Sequence, residues 1–443
     1  MSRHSHPLQP VIYRDTESGL DINDFSDAAH HVVKQLDAAG YAAYVVGGSV
    51  RDSLLGLHPK DFDVATNATP DQIKHVFGRQ CQIIGRRFLL AHVYHNRHMI
   101  EVATFRAPHH EGSHGQTSDH GMITRDNVWG RIDQDALRRD FSINALYYQP
   151  LTGEILDFAD GMKDVRAKKL RMIGDAAVRY REDPVRMLRA LRFAAKLGFS
   201  LEKGTAAPIR SLAYLLGSIS HHRLYDESLK LFSCGHLDVL LPGLQFSGLL
   251  SQLFPHIRES GHLPALVTLA ARNTDERLRQ GKTVNPAFFY AVLLWELQQN
   301  ILQQRLDAGE PLLAAYQQAA IQALGQQYQR TAIPKHASQT VREIWEMQPR
   351  LQRPKSRQVP ELMASPRFRA AFDFLLLREM TGDKNTNGMA VWWEEYQTAH
   401  DDHREQMLRQ LDRPASSKRK PGKKQPAHAA APAAPAAPES GEA

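Results

Sequence analysis

Gly47-Gly48-Ser49-Val50-Arg51-Asp52-Ser53-Leu54-Leu55-Gly56-Leu57-His58-Pro59-Lys60-Asp61-Phe62-Asp63 joins a double-glycine turn to two carboxylates spaced i, i+2. Just before it, residues 41–46 (Tyr-Ala-Ala-Tyr-Val-Val) form a short aromatic and β-branched run bounded by glycines, the pattern of a buried strand. Gly47 and Gly48 let the backbone approach a ligand without a Cβ in the way. Ser49 onward reads as the first turns of a helix, whose free N–H groups favour anions, and Arg51 is placed to pair with a triphosphate. After Pro59, Lys60 to Thr66 alternate as a second strand, so that Asp61 and Asp63 leave one face with Phe62 behind them. Two hard carboxylates on one edge suit Mg²⁺, which binds through one or two carboxylates plus phosphate oxygens.

Either half alone is ordinary: a double glycine more often marks a turn, and Asp-x-Asp a solvated strand edge. In order, about one helix apart, they point together to a nucleotide and a divalent metal. A third carboxylate, Glu101, sits in the alternating run His98 to Arg106, which reads as a neighbouring strand. Three such acids would hold two metal ions about 3.5–4 Å apart. A lone acid on a strand is also commonly just exposed. Farther on, Asp183-Pro184 reads as the cap and first position of a helix running to Lys196 and closed by Gly198. Arg186, Arg189 and Arg192 fall on one side of it, whereas Met187, Leu188, Leu191, Ala194 and Ala195 fall on the other. Such a cationic row is a solvated face or the wall of a polyanion cleft.

Gly47 to Asp52 followed by Asp61-Phe62-Asp63 resembles the first motif of the class II nucleotidyltransferases, the family shared by bacterial poly(A) polymerases and CCA-adding enzymes. Arg138-Arg139-Asp140-Phe141-Ser142-Ile143-Asn144-Ala145-Leu146 resembles the second motif, and Glu182-Asp183-Pro184-Val185-Arg186 the third. The likeness covers about residues 25 to 235. It implies that Asp61 and Asp63 are catalytic and hold two Mg²⁺ ions that Mn²⁺ can replace, and Glu101, from its own strand, is the third catalytic candidate. It further implies that Gly47, Gly48, Ser49, Arg51, Arg139, Asp140, Asn144, Asp183, Arg186 and Arg189 bind the nucleotide, the second motif at its sugar and the third at its base. Ile83 to Val93 (Ile-Ile-Gly-Arg-Arg-Phe-Leu-Leu-Ala-His-Val), two apolar strands around a basic bend, resembles the pattern that marks poly(A) polymerases. The implied reaction is transfer of AMP from ATP to an RNA 3′ end, with pyrophosphate leaving. The alternatives are a CCA-adding enzyme, a transferase acting on a protein or small molecule, and a non-catalytic RNA-binding protein on the same scaffold.

The expected architecture is α+β: a loose extension over 1–24, a mixed α/β head over 25–150, and a helical neck over 151–235. A helical RNA-binding body over 236–410 and a disordered basic tail over 411–443 complete it. Ser26 is a plausible cap for a helix ending at Gly40, and apolar spacing of three and four marks helices over 222–232, 288–301 and 368–377. The tail holds Lys418, Arg419 and Lys420 before an Ala/Pro run, with few apolar groups to offset ordering entropy. Those three residues, Arg192, and the cluster Arg353, Lys355 and Arg357 are candidate RNA contacts or plain surface. A loop over 107–130 carries His109, His110, His114 and His120, and reads as a mobile loop rather than a zinc site.

The 443 residues are 42% apolar, enough for substantial cores, and carry a net charge of +7 that fits a polyanion partner. Two cysteines, Cys81 and Cys234, argue against a disulfide scaffold and for a cytoplasmic setting. No apolar run nears the ~20 residues that span a bilayer. Neither Ser-His-Asp nor Cys-His nucleophile patterns nor a Walker-type loop occurs. The expected partners are ATP, RNA 3′ ends and RNA-decay proteins, with no membrane, and the expected state is a monomer.

Overall fold

The computed structural model describes residues 7–85, 89–107, 128–257 and 262–412. Its N-terminal part is one eight-stranded sheet, in the order β1-β8-β7-β2-β3-β6-β5-β4. The strands are β1 (Val11–Arg14), β2 (Ala43–Val46), β3 (Asp63–Thr66), β4 (Cys81–Ile84), β5 (Leu90–His95), β6 (His98–Thr104), β7 (Leu146–Gln149) and β8 (Glu154–Asp157). Every neighbouring pair is antiparallel except β3 and β6.

The two faces follow the period-2 alternation of the strands. Val45, Val64 and Val102 point to a core that receives Val32, Val33 and Leu36 from helix α1 (Asp27–Ala38), whose Ser26 caps it by accepting from Ala29 N. The opposite face carries Val46, Ala65 and Tyr147 against Phe105 and Phe158. Phe62, just ahead of β3, is buried beside Phe25, whose ring stacks on Tyr148 at 4.3 Å.

Three expectations change here. Residues 11–14 are not loose: they form the edge strand β1, in register with β8 from Val11↔Asp157 to Arg14↔Glu154. For the same reason a head ending at 150 would divide β7 from its hairpin partner β8. The second strand also starts later than Lys60, at Asp63, leaving Asp61 in the approach to it.

Helix α2 (Gly48–Leu54) follows the glycine turn, and α3 (Pro70–Phe77), opened by a Thr69/Gln72 capping box, packs against α1 and the sheet. Helix α4 (Ile132–Arg138) leads into the second motif. The chain then becomes helical, through α5 (Ala176–Glu182), α6 (Val185–Leu197), α7 (His221–Phe232) and α8 (Leu237–Phe246). Helix α6 starts one residue after Pro184 and ends at Gly198, which adopts φ 65°. The expected helix over 288–301 is two, Pro286–Leu293 and Trp295–Asp307, broken at Leu294. The body continues through Lys335–Gln352, Phe368–Met380 and Asp401–Leu411, with Trp345 and Trp393 fully buried. Among the described residues no helix is long and apolar enough to cross a membrane.

Candidate active site

Strand pairing brings the carboxylates to the glycine turn. Val46, the last residue before Gly47, is the register partner of Asp63, and Asp63 is in turn the register partner of Glu101 across the parallel β3–β6 pair. Residues paired in this way share a face on strands about 4.8 Å apart. Asp63 opens to solvent at the mouth of this cleft. Its carboxyl is nevertheless pushed up to about 6, by desolvation first and then by Glu101 and Asp61, with Arg139 pulling the other way. Like charges gathered without a matching cation are the condition a divalent metal relieves. Among the described residues no three His, Cys, Asp or Glu side chains cluster tightly enough to hold a metal ion by themselves. Glu101 instead lies 3.7 Å from His92. Asp61 and Asp63 therefore fit a cation that completes its shell with substrate oxygens, as Mg²⁺ commonly does.

Gly47 turns the chain with φ 85° and ψ −132°, a conformation open essentially to glycine. A Cβ added there would lie 3.7 Å from Nη1 of Arg139, so the turn and this guanidinium line the same space. Ser49 is buried, with Oγ 3.5 Å from the carbonyl oxygen of Val46.

Arg51, which the sequence offers to a triphosphate, is engaged within the protein. It is 3% exposed and donates through Nη1 to Asn144 Oδ1 at 2.5 Å and through Nε and Nη2 to Asp52 Oδ1 at 2.8 and 2.6 Å. Its guanidinium also lies 5.3 Å from the Phe193 ring centroid. Buried between α2 and the second motif, it ties the two together.

The second motif is an internally satisfied joint. Asp140 Oδ1 accepts from Phe141 N and from Asn144 Nδ2, and Oδ2 accepts from Arg189 Nε and Nη2 at 2.8 and 2.6 Å. Burial alone would raise the Asp140 carboxyl; Arg189, Asn144 and the Phe141 N–H instead hold it at about 2. Asn144 and Arg189, which the sequence offers to the nucleotide along with Asp140, are both engaged with that carboxylate. Arg139 differs. Its Nε and Nη2 bind Asp135 and Tyr147, which raise it against the lowering effect of burial, while Nη1 faces Gly47.

In the third motif Asp183 Oδ2 accepts from Arg223 of α7 at 2.7 Å, whereas Oδ1 is buried without a partner. Arg186 donates through Nη1 to Glu182 and to the Arg179 carbonyl, both at 2.8 Å. Three arginines surround Phe193: Arg51, Arg189 and Arg192, the last at 4.7 Å from the ring centroid. Arg192 is lowered by burial and then by Arg189. Sequence reasoning passed over Arg179, Arg223, Asp135, Tyr147 and Phe193. Arg179, lowered to about 10 by burial and by Arg186, fastens α5 to the carbonyls of Arg138 and Arg139. Its signal was an arginine one turn ahead of Glu182, where the third motif begins.

Arg353, Lys355 and Arg357 are exposed on the body after the Lys335–Gln352 helix, and the cleft does not gather them. Lys418, Arg419 and Lys420, the bend residues 86–88 and the histidines of 108–127 lie outside the described residues. Cavities of about 840 and about 480 Å³ open on the body, and neither is lined by the carboxylates or the glycine turn.

The chain is 43% identical to a poly(A) polymerase I of Haemophilus influenzae over 412 residues, 91% of each protein. It belongs to the bacterial poly(A) polymerase family. Residues 43–171 match the poly A polymerase head domain, 198–260 the probable RNA and SrmB-binding site of polymerase A, and 308–426 the polymerase A arginine-rich C-terminus. A CCA-adding enzyme of Latilactobacillus sakei is 40% identical, but over only 45% of this chain and 48% of its own length. The Bacillus stearothermophilus CCA-adding enzyme in complex with CTP superimposes with a TM-score of 0.50 at 25% identity, covering 87% of this chain and 81% of that one. The sequence likeness to a poly(A) polymerase thus spans most of the chain, whereas that to the CCA-adding enzyme spans less than half of it.

Proposed function

We propose that this poly(A) polymerase family member joins AMP from ATP to RNA 3′-hydroxyl ends without a template. The observation that carries the reading is the register Val46↔Asp63↔Glu101, which sets the carboxylates against the Gly47 turn. In the reaction the 3′ oxygen forms a bond to the α-phosphorus, the bond to the β-phosphate breaks, and pyrophosphate and the hydroxyl proton leave. Asp61 and Asp63 hold Mg²⁺ or Mn²⁺, which when bound supplies charge for hydroxyl ionisation and for the leaving group. Glu101 tunes Asp63 from the adjacent strand. Gly47 and Gly48 leave room for the phosphates beside Arg139 Nη1. Asp183 Oδ1, an unsatisfied buried acceptor, suits the exocyclic amine of adenine. Catalysis is chiefly positioning and charge neutralisation.

The division into a head to about 150–157, a neck to about 235 and a body to about 410 assigns chemistry to the first and RNA holding to the others. A cytoplasmic setting and RNA-decay partners belong to the same reading. The test uses purified protein with Mg²⁺, each nucleoside triphosphate in turn, and either an oligo(A) primer or tRNA lacking its terminus. Long ladders from ATP alone are expected. Short additions from CTP and ATP confined to the tRNA would establish the CCA-adding alternative instead.

A further inference from the structure

The outer face of α8 carries apolar side chains that the fold leaves in water. Leu237, Leu240, Leu241 and Leu244 are buried, and Gly243 seats the helix against Leu191 of α6. On the other side Val239 is 62% exposed and Phe246 75%. Seven residues apart, they share one helical face. The Arg210 guanidinium lies 5.5 Å from the Phe246 ring centroid, and Tyr214, four residues beyond Arg210, is 62% exposed. The acidic neighbour Asp238 interacts with Asp275 on the Ala265–Arg279 helix. Exposed apolar side chains of this size, one of them under a guanidinium, mark an interaction surface.

We propose that Arg210, Tyr214 and Phe246 form a stacking platform for bases of single-stranded RNA upstream of the 3′ end. An exposed aromatic face under a guanidinium, with a second exposed aromatic one helical turn along the chain from that arginine, matches sequence-tolerant base stacking, the cation serving both the Phe246 ring and the phosphate backbone. A protein helix docking on this face would use its apolar area, whereas RNA requires the π faces, so the two occupants respond differently to leucine. The proposal rests on the RNA-extending reading above and deepens it. It names residues within the matched segment 198–260.

The test measures binding of non-extendable oligo(A) strands, and photocrosslinking of 4-thiouridine-bearing strands, to the full chain and to Phe246→Leu, Tyr214→Leu and Phe246→Trp. Each leucine variant should weaken binding of strands longer than about 16 nucleotides by about 5-fold or more. Binding of strands shorter than about 4 nucleotides and the KM for ATP should stay unchanged, and Phe246→Trp should bind like wild type. Crosslinks should map to peptides holding Tyr214 or Phe246. Leucine variants that fold, as shown by unchanged thermal unfolding, and bind long strands like wild type would overturn the platform. So would loss of a captured protein partner with RNA affinity intact. A wild-type protein that builds no ladder would instead overturn the parent reading, leaving the binding measurement independent.

Discussion

Arg189 of the neck grips Asp140 of the head, donating Nε and Nη2 to the same carboxylate oxygen at 2.8 and 2.6 Å across 49 residues of sequence. Through Asn144 the contact continues to Arg51, so one polar chain runs from α6 to the helix that follows the glycine turn. Removing Arg189 should leave a buried carboxylate without its cation. Arg189→Ala should cost about 2–3 kcal/mol, the lower end for buried pairs because about a third of the Arg189 side chain meets water. Denaturant unfolding of the two proteins checks the difference.

Acid should act on the same joint. The Asp140 carboxyl lies near 2 in the fold and near 3.8 in an unfolded chain, so its ionised form stabilises the native state at neutral pH. That contribution, about 2 kcal/mol, should be complete above pH ~4 and vanish as pH falls toward ~2. An Asp140→Asn variant should show a flatter dependence of unfolding free energy on pH across that window.

Asp61→Ala and Asp63→Ala should each reduce AMP incorporation by at least about 10³-fold while leaving RNA affinity near wild type, since both act on charge neutralisation alone. Retained elongation in either variant would refute the metal assignment. Glu101→Gln should be milder. It removes the like charge opposite Asp63, so Asp63 should titrate below the value near 6 that it has in the wild-type chain, a shift visible in carboxyl NMR.

Gly47→Ala forces a side chain into φ 85°, at a strain of about 1–3 kcal/mol. Thermal unfolding should record the loss of stability, and KM for ATP should rise because the turn lines the same space as Arg139.

Arg51→Lys separates two readings of that residue. A lysine cannot reproduce the fork that holds Asp52 and Asn144 together, so the variant should lose about 1–3 kcal/mol of stability. A wild-type melting curve with sharply weaker ATP binding would mean that Arg51 contacts phosphate after all.

Local order was legible before any coordinates. Ser26 as a cap, Gly198 as a helix stop, the glycine turn, and the alternation of β6 all depend on backbone geometry within a few residues, which side-chain type dictates directly. The three motifs likewise lay in continuous stretches. What could not be read was pairing between distant segments. Val11-Ile12-Tyr13 are strand formers in a run too short to declare itself, and become a strand because β8, some 140 residues on, presents free backbone groups. Arg51 and Arg189 each resemble ligand contacts in isolation, yet find Asn144 and Asp140 at separations of 93 and 49 residues. A charged side chain takes its role from whichever partner desolvates with it, and that partner is chosen by packing. Sequence thus specified which chemistry the chain carries, and folding specified which of its charges remain available to a substrate.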